Sequence, residues 1–412
     1  MADFMNPAAT QRLQEFFDSI GRILGNKCRR QSFATYAMGL LGDGERKSIE
    51  PIAARACAEP KRADAMHQRL LHFASDAVWD DRAVRREAMD YVLESMTARE
   101  EVEAWIVDDT GFLKQGSHSV GVQRQYTGSA GKITNCQVGV SLSVATRTEH
   151  APIDFELYLP TSWTNDAARR KEARIPEHVQ FQTKPQLALN MIRRAVAHGV
   201  SPGVVLGDSA YGSSREFREG VRAEGLHYAV GVDAKTSVWR LDKHAHPRGE
   251  AVSVKDLAVQ LHQRKEFRRC TWRKGTNEDL TARFAMRRVV PAYDHHTSTA
   301  EGQASRREHL WLLIEWRDGE PEPANYFLTS VSLRTKKELV RLEMQRWRTE
   351  RVYEDLKGEL GIDHFEGRRF SGWNHHVSVA LCCYAFIVAE RVRRFPPSAR
   401  GTKDATPKRF AA

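Results

Sequence analysis

Ala104-Trp105-Ile106-Val107-Asp108-Asp109-Thr110-Gly111 is an apolar run closed by acids and a turn-forming pair. Residues Ala104 to Asp108 read as a short buried strand that carries a carboxylate at its end. A second run repeats the pattern: Val204-Val205-Leu206-Gly207-Asp208-Ser209-Ala210-Tyr211-Gly212. In α/β sheets, sites gather at the carboxyl ends of strands. A strand-end aspartate also serves as a turn residue or a helix cap. Both readings stand for Asp108 and Asp208 on these residues alone.

Working outward, Val138, Val140, Leu142 and Val144 alternate in one strand, and Ile153, Phe155, Leu157 and Leu159 in the next. Lys184 to His198 reads as a helix with Leu187, Met191, Ile192 and Val196 on one stripe and Gly199 as its stop. Val204 to Leu206 is a strand, Ser213 to Ala223 a helix, and His227 to Val232 a strand. Three meandering strands, then helix, strand, helix and strand, are the order of a ribonuclease-H-like α/β core.

The rest of the chain is arranged around that core. Residues 1–100 read as helical, with Leu13, Phe16, Phe17, Ile20 and Leu24 at helical spacing. They suggest a separate N-terminal domain. Core residues 101–232 give way at 233–325 to a β-rich, basic insertion that interleaves Trp239 and Trp272 and holds a polar loop at 294–307. Residues 326–392 return as closing helices, with Lys336 to Leu360 read as one long helix. The basic tail, 393–412, is expected to fray.

A formal charge of +10 on 412 residues points toward a polyanionic partner. The six cysteines show no paired C-x-x-C spacing, which argues against structural zinc and for free thiols. No signal-peptide pattern opens the chain, and no uninterrupted apolar run approaches the ~20 residues of a membrane helix. The expectation is a soluble cytoplasmic protein associated with the nucleoid.

A third acid completes a pattern. At ~100° per residue, Arg346, Glu350 and Lys357 fall within ~40° of one line on a continuous helix, beside Leu339, Leu342, Tyr353 and Leu360. Charges on an inward face must be paired or must bind something. Salt bridging among the three is one explanation. The other is catalysis, with Glu350 as a metal ligand and Arg346 and Lys357 on phosphate. Asp108, Asp208 and Glu350 supply the hard oxygen ligands that Mg²⁺ or Mn²⁺ prefers. Two such ions suit in-line displacement at phosphorus. Lys114, Arg124 and Lys132, with His118, follow the first acid and would line a DNA groove or a solvated loop.

These motifs together resemble bacterial insertion-sequence transposases of the DDE type. The likeness rests on Asp108-Asp109-Thr110-Gly111-Phe112-Leu113-Lys114, Gln125-Tyr126-Thr127-Gly128, Leu157-Tyr158-Leu159-Pro160, Asp208-Ser209-Ala210-Tyr211-Gly212 and Gly361-Ile362-Asp363-His364-Phe365-Glu366. The branch named by the resemblance is the insertion-sequence seven-oh-one group, related to the insertion-sequence-four group. It implies a ribonuclease-H-like core with a β-rich insertion, Asp108 as the first ligand with Asp109 bracing the turn, and a dimeric complex on double-stranded DNA. It also implies cutting at inverted element ends and joining of the 3′-hydroxyls to target DNA. Arg346, Glu350 and Lys357 match the broader group's Tyr-Arg-Glu-Lys signature, whereas Glu343 stands at the tyrosine position. Alternatives are a ribonuclease-H-like nuclease without strand transfer and a non-catalytic, transposase-derived DNA-binding protein.

Overall fold

The computed structural model describes residues 7–274, 279–292, 308–332 and 335–394. The polar loop at 294–307 and the tail from 395 lie outside the described residues. The chain divides into two compact units. One comprises residues 1–102, 108–191 and 348–412; the other comprises residues 103–107 and 192–347.

The first unit opens with α1 (Pro7–Leu24), α2 (Lys27–Leu41), α3 (Ile49–Ala56), α4 (Ala63–Ser75) and α5 (Asp81–Thr97). Asn26 and Asp80 cap α2 and α5 by accepting from Arg29 N and Ala83 N. These helices do not form a body of their own, contrary to the sequence expectation. Their apolar faces share one core with β-strand and C-terminal helix residues, among them Phe155, Trp373, Val377 and Leu381. Apolar stripes that pass for a small bundle in sequence thus find their cover from distant chain.

That cover is α14 (Phe370–Arg394), whose residues are buried along most of its length. It has the length and hydropathy to cross a bilayer, yet 83% of its most apolar window is buried inside the protein. It reads as a core helix. Arg12 holds Glu390 through two guanidinium nitrogens, and Arg391 holds Glu149. His375 stacks on Trp79 and bonds to Ala74 O; His376 bridges Tyr36 OH and Ile362 O. Both histidines are therefore structural.

β1 (Ala104–Leu113) contributes residues to both units. It does not stop at Asp108, as the sequence suggested, because Thr110, Gly111 and Phe112 are buried again beyond the two acids. Gly111 is required there, since a Cβ would overlap the Thr127 side chain. β2 (Gln123–Thr127) was not foreseen. It pairs antiparallel with the start of β3 (Lys132–Ala145), and β4 (His150–Tyr158) pairs with the later part of β3. α6 (Thr161–Thr164), α7 (Ala167–Ala173) and α8 (Lys184–Ala197) follow.

In the second unit, β5 (Val204–Gly207) lies parallel to the first half of β1, with Ile106 opposite Leu206. α9 (Ser209–Gly212), α10 (Arg215–Ala223) and β6 (Tyr228–Gly231) come next, and β6 is parallel to β5. The expected β-rich segment contains β7 (Ser237–Leu241), β8 (Pro247–Ser253), α11 (Val254–Gln263), β9 (Arg268–Lys274), β10 (Asp279–Pro291) and β11 (Leu310–Trp316). β12 (Asn325–Thr329) then pairs antiparallel with both β11 and β6. The insertion is thus a continuation of the same sheet, which runs β6-β12-β11-β10-β7-β8.

The expected long helix is two helices. α12 (Lys336–Glu343) starts with a capping box between Thr335 and Glu338. Met344–Arg346 form a 3₁₀ turn, and α13 (Trp347–Gly358) follows.

Candidate active site

Asp108 and Asp109 sit half-buried in the middle of β1 and divide their work. The Asp109 backbone N–H donates to Asp108 Oδ1 at 2.8 Å. The Asp109 carboxylate instead takes Lys184 Nζ at 2.9 Å.

Asp208 follows β5 and caps α9 by accepting from Ala210 N at 2.9 Å. The turn is pressed flat on β6. A Cβ at Gly212 would overlap Gly231 O, and one at Gly231 would overlap the Asp208–Ser209 backbone. The cap reading and the ligand reading are compatible, since one carboxylate oxygen is enough for the cap. Asp208 lies two residues beyond Leu206, which pairs with Ile106 of β1.

Glu350 lies in the first turn of α13 and is exposed. Sequence geometry placed it on the inward face. The 3₁₀ turn resets the helical phase, and Thr349, Val352, Tyr353 and Leu356 take the buried stripe. Tyr353 OH meets Ser141 Oγ at 2.7 Å, which seats α13 on β3. Arg346 belongs to the 3₁₀ turn and no longer shares one helix with Glu350.

Lys357 does share it. Seven residues turn the helix ~700°, so Lys357 lies within ~20° of Glu350. Its Nζ donates to Thr110 Oγ1 at 2.8 Å and to Gly111 O at 2.9 Å. The sequence reading gave this lysine to phosphate; the structure spends two of its donors on β1. Burial pulls its pKa down, with Asp363 partly opposing. Thr110 is two residues from Asp108, hence on the same face of β1.

Residues 15–279 match the family described as DDE superfamily endonuclease, and residues 173–386 match the transposase DDE domain. The chain belongs to the DDE transposase family. It is also similar to a probable transposase for insertion sequence element IS701 from Microchaete diplosiphon, at 28% identity over 203 residues. That match covers 49% of this chain and 48% of the relative, so the chain spans about half the length of the curated relative it matches.

With the family established, the other basic residues sort by surroundings. Lys114 was expected in a DNA groove or a solvated loop but turns inward, donating to Asp363 O at 3.1 Å and Phe365 O at 2.6 Å. Burial lowers its pKa to about 8. Lys47 does similar work nearby, donating to Leu40 O and Glu359 O. Both hold the loop that follows α13, and sequence reasoning missed Lys47 altogether. Arg124 and Lys132 are exposed on the β2–β3 hairpin, where Tyr126 pairs with Ile133, each about 60% exposed. His118 pairs with Glu172. Trp239 is buried, and Trp272 packs edge-on against Phe284.

The donor set suits a hard divalent ion: carboxylate oxygens only, with Glu350 exposed and Asp208 half-buried. Among the described residues, no three His, Cys, Asp or Glu side chains stand at metal-ligand spacing. By chemistry alone these carboxylates fit such an ion.

Proposed function

We propose that this protein is a DNA transposase that cuts the inverted ends of its insertion sequence and joins their 3′-hydroxyls to target DNA. Asp108, Asp208 and Glu350 are its metal ligands, and the ions are two Mg²⁺ or Mn²⁺. When bound, they would supply Lewis-acid activation of the attacking and leaving oxygens.

One observation carries the reading: the Lys357 clasp on Thr110 and Gly111. It fastens the helix bearing Glu350 to the strand bearing Asp108, through side chains on the same faces as those acids. The helix rises ~10 Å from Lys357 to Glu350, and the strand runs ~7 Å from Thr110 to Asp108. The strand order β4-β3-β1-β5-β6, with the last three parallel, supports a ribonuclease-H-like core.

The chain's own groups then have distinct tasks. Asp108, which stands where the family motif has its first acid, is the ligand of the pair, and Asp109 braces the turn through Lys184. The Ala210 N–H fixes the rotamer of Asp208. Arg346, Arg124 and Lys132 bind phosphates of double-stranded DNA. Lys114 and Lys357 position the site from within. Two element ends are joined by a homodimer.

The test uses labelled duplexes carrying the element end, in Mg²⁺. Alanine at Asp208 or Glu350 should abolish cleavage and leave end binding within about twofold. Pre-cut ends supplied with target DNA should be joined by the wild type. Cleavage without joining would reduce the protein to a nuclease.

A further inference from the structure

At the junction of α12 and α13, a run of enclosed polar atoms has no hydrogen-bond partner among the described residues. It comprises both carboxyl oxygens of Glu343, Oε1 of Gln345 and Nε of Arg346. Buried polar groups are nearly always satisfied, so such a run calls for a reason. A 3₁₀ turn inside a helical stretch is itself a common mark of a working segment.

We infer that Glu343 is a positioning residue that competes with DNA phosphate for the guanidinium of Arg346. The inference rests on the reading of Arg346 as a phosphate ligand. Glu343 is 1% exposed, and Arg346 lies three residues on, across the turn. The Arg346 charge favours the ionised form of the Glu343 carboxyl, against its burial. The neighbouring ions are engaged elsewhere: Arg341 with Glu103, which also accepts from Gln345. Of the strands packed on α12, β6 brings Tyr228, whose hydroxyl faces Glu308. β9 brings Arg268, bonded to Lys265 O, and Arg269, paired with Asp318. Lys336 donates to Phe284 O.

An ionised carboxylate cannot stay enclosed and unpaired. Glu343 therefore has two arrangements. Neutral, it leaves Arg346 to phosphate. Ionised, it draws the guanidinium inward and satisfies both its own oxygens and the Arg346 Nε–H. Burial raises its pKa to about 8, which puts the exchange in an accessible range. DNA binding then takes up one proton at Glu343.

The experiment measures end-DNA affinity by fluorescence anisotropy from pH 6.5 to 9.5 at constant salt. Linkage to one proton predicts that wild-type affinity falls by up to about tenfold per pH unit above 8. Lys114 titrates in the same range, so the readout is the difference between wild type and Glu343→Gln. Glu343→Gln should match wild type at pH 6.5 and fall less steeply by that one-proton slope. Calorimetry of the wild type in two buffers of different ionisation enthalpy should report proton uptake near pH 8, without any substitution. An unchanged slope in Glu343→Gln, or no proton uptake, overturns the inference. Arg346→Ala should weaken binding at pH 6.5; undiminished binding there removes the phosphate reading of Arg346 itself, and the inference with it.

Discussion

Lys357 Nζ lies 2.8 Å from Thr110 Oγ1, joining two signature segments that are 247 residues apart in sequence. The same nitrogen reaches Gly111 O. Thr110 is nearly fully buried, so its hydroxyl has little recourse to water. Lys357→Met should therefore destabilise the protein by about 1–3 kcal/mol, the cost of stranding buried polar groups. Urea unfolding checks this, and DNA cleavage should fall more than stability alone explains. Equal stability for the two proteins would mean the clasp is decorative.

Asp108 and Asp109 are neighbours with different fates. Asp109→Asn weakens a half-buried ion pair with Lys184 and should cost about 1 kcal/mol or less while sparing most cleavage. Asp108→Asn should cut cleavage at least about 100-fold, on the scale of losing a group that acts in the transition state. Reversed effects would exchange the two assignments.

The Asp208 turn depends on absent side chains. Gly212→Ala forces a methyl group onto Gly231 O and the Val230 side chain. Overpacking of this kind costs about 1–3 kcal/mol. Thermal unfolding should show it, together with loss of cleavage. Full stability would mean that the turn can lift off β6.

His150 gives an acid-sensitive element. It is buried, neither ring nitrogen has a hydrogen bond among the described residues, and burial with Arg348, Arg391 and Arg351 lowers its pKa to about 3. The unfolded chain takes up a proton near pH 6.5, whereas the folded protein resists until about 3. Below pH 6.5 the unfolded state binds more protons, so stability falls as pH falls through this window. His150→Phe should flatten that part of the pH–stability curve. An unchanged acid limb would contradict the assignment.

Much of this was legible in the sequence because it rests on local pattern. The alternation of β3 and β4, the buried run of β5 and the apolar stripes of α1 all report their own burial. The family motifs are what propose Asp108, Asp208 and Glu350 as ligands. What stayed hidden depends on distant partners. The extension of β1 past two acids needs Thr127 to close on Gly111. Lys114 reads as a surface cation until the carbonyls of Asp363 and Phe365, some 250 positions away, receive it. The break at Met344–Arg346 lacks a proline or glycine, so an angular projection ran straight through it. The helices of residues 1–97 looked self-sufficient because α14, which covers them, comes at the other end of the chain.

The central claim is that Asp108, Asp208 and Glu350 hold the ions that cut DNA. The most direct measurement is nicking of a labelled element-end duplex as Mg²⁺ is titrated, for wild type and for Glu350→Gln. The account predicts saturable, Mg²⁺-dependent nicking by the wild type. In Glu350→Gln it predicts a loss of at least about 100-fold, with end binding retained. Comparable nicking by the two proteins at every Mg²⁺ concentration would contradict it.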